Sequence, residues 1–223
     1  MVRALARVAR RVARPFGVQR MEDVATPGAR RRAWIDFHIF DHGALRAIWR
    51  NLHEVAPGVW RSNQPSPGQL ARLKAQGFRA VLTLRGAKPF AYYHLEREAC
   101  ARLGLTLVSL PLSAGRPLPA ATLQELHDVF LRLPRPFLMH CKSGADRTGI
   151  AAALYQLMIE GAPVTAAARE LHWRYFHFRG GEAGVLDLML ETFASAQAAH
   201  GIGILDWIRD GYDPEALAIR HAR

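Results

Sequence analysis

Cysteine is scarce in this chain of 223 residues: Cys100 and Cys141 are the only two. That excludes a disulfide-built scaffold and the clustered thiols of a zinc module, and it fits a reducing compartment. Eighteen consecutive apolar residues occur nowhere, so no membrane-spanning helix is expected. Arginines interrupt the first twenty residues every few positions, so no apolar core of a secretory signal forms. No RNA-binding aromatic strand motif and no helix-turn-helix pattern is found, and nucleic acid is not an expected partner. Internal repeats and low-complexity tracts are absent apart from the N-terminal arginines. Acidic residues are also few, 19 against 30 Lys and Arg, for a formal charge of +11. Partners should therefore be anionic. One local deficit matters later: no carboxylate lies between Glu98 and Glu125.

Half of the residues are apolar, ample for the core of one catalytic domain with appendages. Ser66-Pro67 carries a cap and a first-turn proline, which predicts a helix that buries Leu70 and Leu73 and stops at Gly77. Phe78 to Leu84 reads as a strand, Tyr92 to Leu103 as a helix closed by Gly104, and Leu105 to Leu110 as the next strand. A helix from about Ala121 to Leu133 leads into a short apolar strand, Pro136 to Met139, and Thr148 to Ile159 reads as another helix. This alternation predicts an α/β fold, a central and mostly parallel sheet of about four to five strands with helices on both faces. Beyond it, Pro163 opens a helix, and Glu182 to His200 places Val185, Leu186, Leu188, Met189 and Phe193 in the core. The stretch Trp34 to Asn51 reads as partly helical, with Asp41 capping a helix through Leu45, Ile48 and Trp49. The expected organisation is a basic N-terminal segment over residues 1–20, an extension over 21–54, the catalytic domain over 55–200 and a tail over 201–223.

The most informative ten residues are His140-Cys141-Lys142-Ser143-Gly144-Ala145-Asp146-Arg147-Thr148-Gly149. They join a strand to a helix N-terminus, where backbone N–H groups and the helix dipole favour an anion. A cysteine in such a hollow, close to a fixed cation, loses its proton readily and becomes a nucleophile. Arg147 offers a planar fork for two phosphate oxygens. Residues 142–148, namely Lys142, Ser143, Gly144, Ala145, Asp146, Arg147 and Thr148, are the candidate phosphate-binding set. Cys141, Arg147 and Asp146 are the candidate catalytic residues, Thr148 can stabilise the thiolate, and His140 is a supporting residue behind the nucleophile. The bland alternative is a buried structural cysteine beside a satisfied histidine.

His-Cys, five residues, Arg, then Thr resembles the signature of the cysteine-dependent protein tyrosine phosphatase superfamily. Upstream, Gly58-Val59-Trp60-Arg61-Ser62-Asn63-Gln64-Pro65 is similar to the opening strand and turn of compact bacterial dual-specificity-like phosphatases, so the resemblance covers roughly residues 55–180. It implies a phosphatase-type three-layer domain and metal-free, cofactor-free hydrolysis of phosphomonoesters through a cysteinyl-phosphate. A rhodanese-like sulfur carrier also uses a cysteine in an anion cradle, but His140 and Arg147-Thr148 favour the phosphatase. Members usually carry an aspartate as general acid on the loop matching Pro111 to Pro119, and this chain has none there. Asp146, inside the phosphate loop, is the first substitute, with a purely structural role for it equally open, and Asp41 is a remoter one. The missing aspartate also leaves open a phosphate-binding pseudophosphatase.

Substrate class divides between phosphoproteins and phosphoinositides or other phospholipids. Arg3, Arg7, Arg10, Arg11 and Arg14 share an arc of about 100° on a helical wheel opposite Leu5, Val8 and Val12, which suits contact with an anionic membrane, with a disordered tail or a helix packed on the domain equally open. The expected location is cytoplasmic, with peripheral contact at the inner membrane surface as an extension of that reading. Arg169 to Arg179 concentrates rings and cations that could border the substrate entrance, as could Arg85, Lys88 and Arg116; packed aromatics with solvated arginines are the plainer option. A regulatory disulfide between Cys100 and Cys141 is a further option.

Overall fold

The computed structural model describes residues 20–21 and 23–222. The basic segment with Arg3, Arg7, Arg10, Arg11 and Arg14 lies outside the described residues.

Five short strands form the sheet: β1 (His53–Ala56), β2 (Val59–Ser62), β3 (Ala80–Thr83), β4 (Thr106–Ser109) and β5 (Phe137–His140). Their spatial order is β1-β2-β5-β3-β4. The β2–β5, β5–β3 and β3–β4 pairs are parallel, and only the β1–β2 hairpin is antiparallel. β3 and β5 are buried along their whole length, as apolar strands covered on both faces should be. β5 is central, so the residues that follow it emerge at the carboxyl edge, where such sheets bind ligands.

Alternation along the strands divides the core. Val59, Ala80, Leu82, Phe137 and Met139 face one side; Val81 and Leu138 face the other. The first side is covered by α5 (Ala120–Arg132), α6 (Asp146–Met158) and α8 (Gly184–His200). The α6 helix is buried nearly all round, and alanines at 151–153 let it approach the sheet closely. The second side is covered by α3 (Pro67–Ala75) and α4 (Ala91–Leu103). Ser66 caps α3 in a reciprocal capping box with Gln69, and Gly104 ends α4 with φ +63°.

Helix in the extension begins seven residues, about two turns, earlier than the sequence suggests. Thr26 caps α1 (Pro27–Ile35), which Pro27 opens, followed by a π-helical turn over Asp36–Phe40 and α2 (Gly43–Ile48). Ala33 and Phe37 pack on Ala91, Tyr92 and Leu95 of α4. Asp41 does not cap α2: the cap position is His42, in the left-handed region and without a side-chain hydrogen bond. The Asp41 carboxylate is instead engaged by cations, as described below. A second difference lies beyond residue 200. The expected tail forms α9 (Ile204–Asp206), a π-helical turn and α10 (Pro214–His221). Ile204, Trp207, Ile208 and Leu217 join the main core, because apolar side chains at these spacings gain more by burial than by solvation. The helix expected at Pro163 is only a turn, α7 (Val164–Ala167). No helix among the described residues is long and apolar enough to cross a membrane.

Candidate active site

The loop from Cys141 to Ala145 connects β5 to α6 and curls over the helix N-terminus. Its shape depends on Gly144, whose φ is +78° and where a Cβ would lie 2.7 Å from Asn63 N and from the Ser62 carbonyl. No side chain fits there, so the loop can press against the end of β2 only as glycine.

The loop's carbonyls are drawn backwards by buried donors. Arg61, fully buried on β2, donates to Gly144 O at 2.7 Å and to Ala145 O at 3.4 Å. The same guanidinium pairs with Glu170 Oε2 at 2.5 Å and lies 3.7 Å from the Tyr175 ring centroid. Asn51, held at φ +48°, donates to Ser143 O at 3.2 Å and to Tyr175 O at 3.1 Å. With its carbonyls fixed behind, the loop turns its N–H groups toward the hollow.

Cys141 sits in that hollow, 1% exposed, with its Sγ accepting the Gly144 N–H at 3.3 Å. Burial alone would raise the thiol's pKa. The Arg147 charge, the Thr148 hydroxyl and the backbone N–H groups of Thr148 and Gly144 outweigh it, and the thiol is held below its ordinary range. Thr148 Oγ1 is buried without a well-aligned protein hydrogen bond, which leaves the sulfur as the group it serves. Arg147 lines a cleft of about 520 Å³ with Lys142, Ser143, Leu45, Ile48, Trp49 and Phe176. His140 is fully buried behind the nucleophile. Its Nδ1 donates to Cys141 O at 3.1 Å, and its Nε2 lies 2.6 Å from Glu96 Oε1, off hydrogen-bond alignment.

Two charge clusters flank the loop. On one side, buried Asp41 takes both arms of Arg85 at 2.7 and 2.8 Å, Arg46 at 2.9 Å, and Lys142 of the loop at 3.4 Å. Burial raises its pKa, but these cations reverse the effect and hold the carboxyl below the usual range. Three cations to one carboxylate leave positive charge beside the hollow. Arg85 also stacks over Tyr92 at 3.4 Å. On the other side, Asp146 Oδ1 accepts from His177 Nδ1 at 2.8 Å, and His177 Nε2 donates to Asp187 Oδ2 at 2.8 Å. An imidazole that donates from both nitrogens is protonated. Burial opposes that charge, yet the two carboxylates raise the His177 pKa to about 9.

Of the proposed phosphate-binding set, Lys142, Ser143 and Arg147 line the cleft, Gly144 and Thr148 contact the Cys141 sulfur, Ala145 is buried in the loop, and Asp146 is turned toward His177. Cys100 does not share it. That thiol packs against α3 on the opposite face of the sheet, its pKa pushed to about 12 by burial and by Glu96, and it is poorly placed to resolve an oxidised Cys141. The supporting roles of Arg61, Glu170 and His177 are not legible in the sequence, although Arg61 stands in the opening strand and the other two in the stretch 169–179, and Asn51 is not marked there for any role. The stretch 169–179 holds both packed and open rings: Tyr175 and His177 are buried, whereas Trp173, Phe176 and Phe178 are exposed. Among the described residues no three metal-ligating side chains gather closely enough to hold an ion.

Comparison with known proteins places this geometry. The family described as DSP-PTPase phosphatase fused to NAD+ kinase matches residues 45–182. The dual specificity protein phosphatase TpbA of Pseudomonas aeruginosa strain UCBPP-PA14 is 29% identical over 178 residues, covering 78% of this chain and 74% of that protein. A putative phosphatase of Shewanella putrefaciens CN-32 superposes with a TM-score of 0.54 at 21% identity, over 66% of this chain and 90% of its own. The catalytic core of the PP-IP phosphatase SIW14 from S. cerevisiae gives 0.51 at 20%, over 67% and 92%. These two structures share the fold. The family match spans the phosphate loop and its supports, and the chain belongs to the DSP-PTPase phosphatase family.

Proposed function

We propose that this phosphatase is cysteine-dependent, with dual-specificity activity on phosphoproteins, and works through a cysteinyl-phosphate intermediate in the cytoplasm. The carrying observation is the buried Cys141 thiol, depressed in pKa beneath a cradle of N–H groups and the Arg147 charge. Arg147 and the loop N–H groups bind the phosphate oxygens. The Cys141 thiolate attacks phosphorus as the bond to the leaving oxygen breaks, with the charge spread over the equatorial oxygens held by the guanidinium. Water then attacks the thiophosphate, and the thiolate leaves against the Thr148 hydroxyl. Asp146 serves in this reading as the anchor that His177 holds, keeping the start of α6 in place. The presence of nucleophile, arginine and threonine together favours turnover over a binding-only role.

The test is phosphate release from a phosphotyrosyl and a phosphoseryl peptide in EDTA, with Cys141→Ser as control. Release from both that the serine variant abolishes supports the proposal. EDTA-sensitive or serine-tolerant release would refute it.

A second reading, phospholipid hydrolysis at a membrane surface, rests on the cleft beside Arg147. Leu45, Ile48 and Phe176 are 64%, 87% and 56% exposed, an apolar rim next to a phosphate cradle on a strongly basic chain. Phosphoinositide vesicles run beside the peptides separate the two. Release confined to vesicles, and lost on Ile48→Ser, would replace the protein substrate by a lipid.

A further inference from the structure

A phosphate ester with a basic leaving group needs a proton delivered to the departing oxygen, and the loop from Pro111 to Pro119 holds no carboxylate to supply it. The structure brings one there from another element. A Cβ built on Gly115, the middle of that loop, would lie 2.8 Å from Glu182 Oε2 and 2.9 Å from Glu182 Cβ. The carboxylate of Glu182 therefore rests over the loop, in room that only a glycine leaves.

Two connections tie this spot to the phosphate loop. Leu84 N–H bonds to His140 O at 2.8 Å, and Leu112 N–H to Leu84 O at 3.2 Å. The loop thus starts two strand spacings from the nucleophile's strand, about 10 Å, on the same carboxyl edge. From the other direction, Glu182 stands five residues before Asp187, which reaches Asp146 of the phosphate loop through the single imidazole of His177. The start of α8, which holds Asp187, and the turn before it, which holds Glu182, therefore span from the flank of the phosphate loop to Gly115.

The other carboxylates around the site are engaged: Asp41 by three cations, Glu170 by Arg61, Asp146 and Asp187 by His177, and Glu96 against His140. Glu182 is exposed and, among the described residues, has neither an ion pair nor a hydrogen bond donated to its carboxylate. An acid that must exchange its proton at each turnover cannot be held by a permanent cation.

We infer that Glu182 is the general acid of the reaction, a role that rests on the cysteinyl-phosphate reading above. As the Cys141 sulfur bonds to phosphorus and the P–O bond breaks, the Glu182 carboxyl gives its proton to the departing oxygen. In the second step the Glu182 carboxylate takes a proton from the attacking water. The S–P bond breaks, thiolate and inorganic phosphate are released, and the acid is restored.

The experiment compares p-nitrophenyl phosphate, whose leaving group needs little help, with a phosphoseryl peptide. Glu182→Gln should lower kcat/KM on the peptide by about a hundredfold and on p-nitrophenyl phosphate by less than about threefold. The double variant Glu182→Gly with Gly115→Asp removes both the Glu182 carboxylate and the Glu182 Cβ that crowd this spot, returns a carboxylate to the loop in the space they vacate, and should recover most of the peptide rate. Gly115→Asp alone should not help, since Glu182 still fills that space. Equal losses on the two substrates, or no rescue in the double variant, overturns the assignment, as does a peptide-selective loss in Asp146→Asn with none in Glu182→Gln. Wild-type protein that turns over neither substrate would instead remove the phosphatase mechanism itself, and Glu182's role with it.

Discussion

Replacing His177 with glutamine tests whether the flank of the phosphate loop is held by a buried positive charge. The imidazolium lies between Asp146 and Asp187 at 2.8 Å from each, and the side chain is 3% exposed. Its folded pKa of about 9 stands above the ordinary 6.5. A raised pKa means that the folded state binds the proton more tightly than the unfolded state. The resulting stabilisation is complete below pH 6.5 and is lost as pH rises through 9. At about 1.4 kcal/mol per pH unit, the loss across that window is about 3 kcal/mol. Cys141 works in the opposite sense: its depressed pKa adds stability as pH rises. The comparison therefore belongs in a Cys141→Ser background. His38 and His53, both lowered below 6.5, add stability as pH rises through 6.5 and do so alike in the two proteins compared. Urea unfolding at pH 6, 7, 8 and 9.5 should show Cys141→Ser losing about 3 kcal/mol. Cys141→Ser with His177→Gln should be less stable at pH 6 and should lose about 3 kcal/mol less across the same range, the raised Cys100 thiol costing both proteins alike above pH 9. Parallel slopes in the two proteins would show that no buried imidazolium bridges these carboxylates.

Three other expectations follow from single contacts. Gly144→Ala forces a side chain into the left-handed region and against the Ser62 backbone, so stability should drop by about 2 kcal/mol and peptide kcat/KM by more than about tenfold, measured by urea unfolding and phosphate release; an active, wild-type-stable alanine variant would contradict this. Arg147→Lys keeps the charge but loses the fork, and kcat should fall by about a hundredfold or more with a smaller change in KM. Arg61→Met leaves the Glu170 carboxylate buried without its partner, which should cost about 3 to 5 kcal/mol; adding Glu170→Gln should return part of that loss in the same unfolding assay.

Local signals made much of this molecule readable in the sequence. The α3 cap at Ser66, the stop at Gly104 and the apolar runs of β3 and β5 each act within a few residues, so periodicity and capping chemistry place them closely. The phosphate loop is equally local, since nucleophile, glycine and arginine are neighbours in the chain. What escaped depends on contacts between distant segments. Arg61 reads as an ordinary polar residue of a strand until Glu170 and the loop carbonyls surround it. His177 stands in a ring-rich stretch, and only the approach of α8 supplies its second carboxylate. Asp41 sits where a helix cap would, but the arginines that claim it are 5 and 44 residues away. The loop that lacks an acid is visible in the sequence, whereas the carboxylate lying over it comes from a turn 67 residues on and is visible only in three dimensions.

The most direct test of the account is capture of the phosphorylated enzyme. A phosphotyrosyl peptide labelled at phosphorus is mixed with wild-type protein and quenched in acid within one turnover, and the digested protein is examined by mass spectrometry. The account predicts a phosphoryl group on Cys141, longer-lived in Thr148→Ala and absent from Cys141→Ser. Steady phosphate release with no label on Cys141, or a label on any other residue, would contradict it.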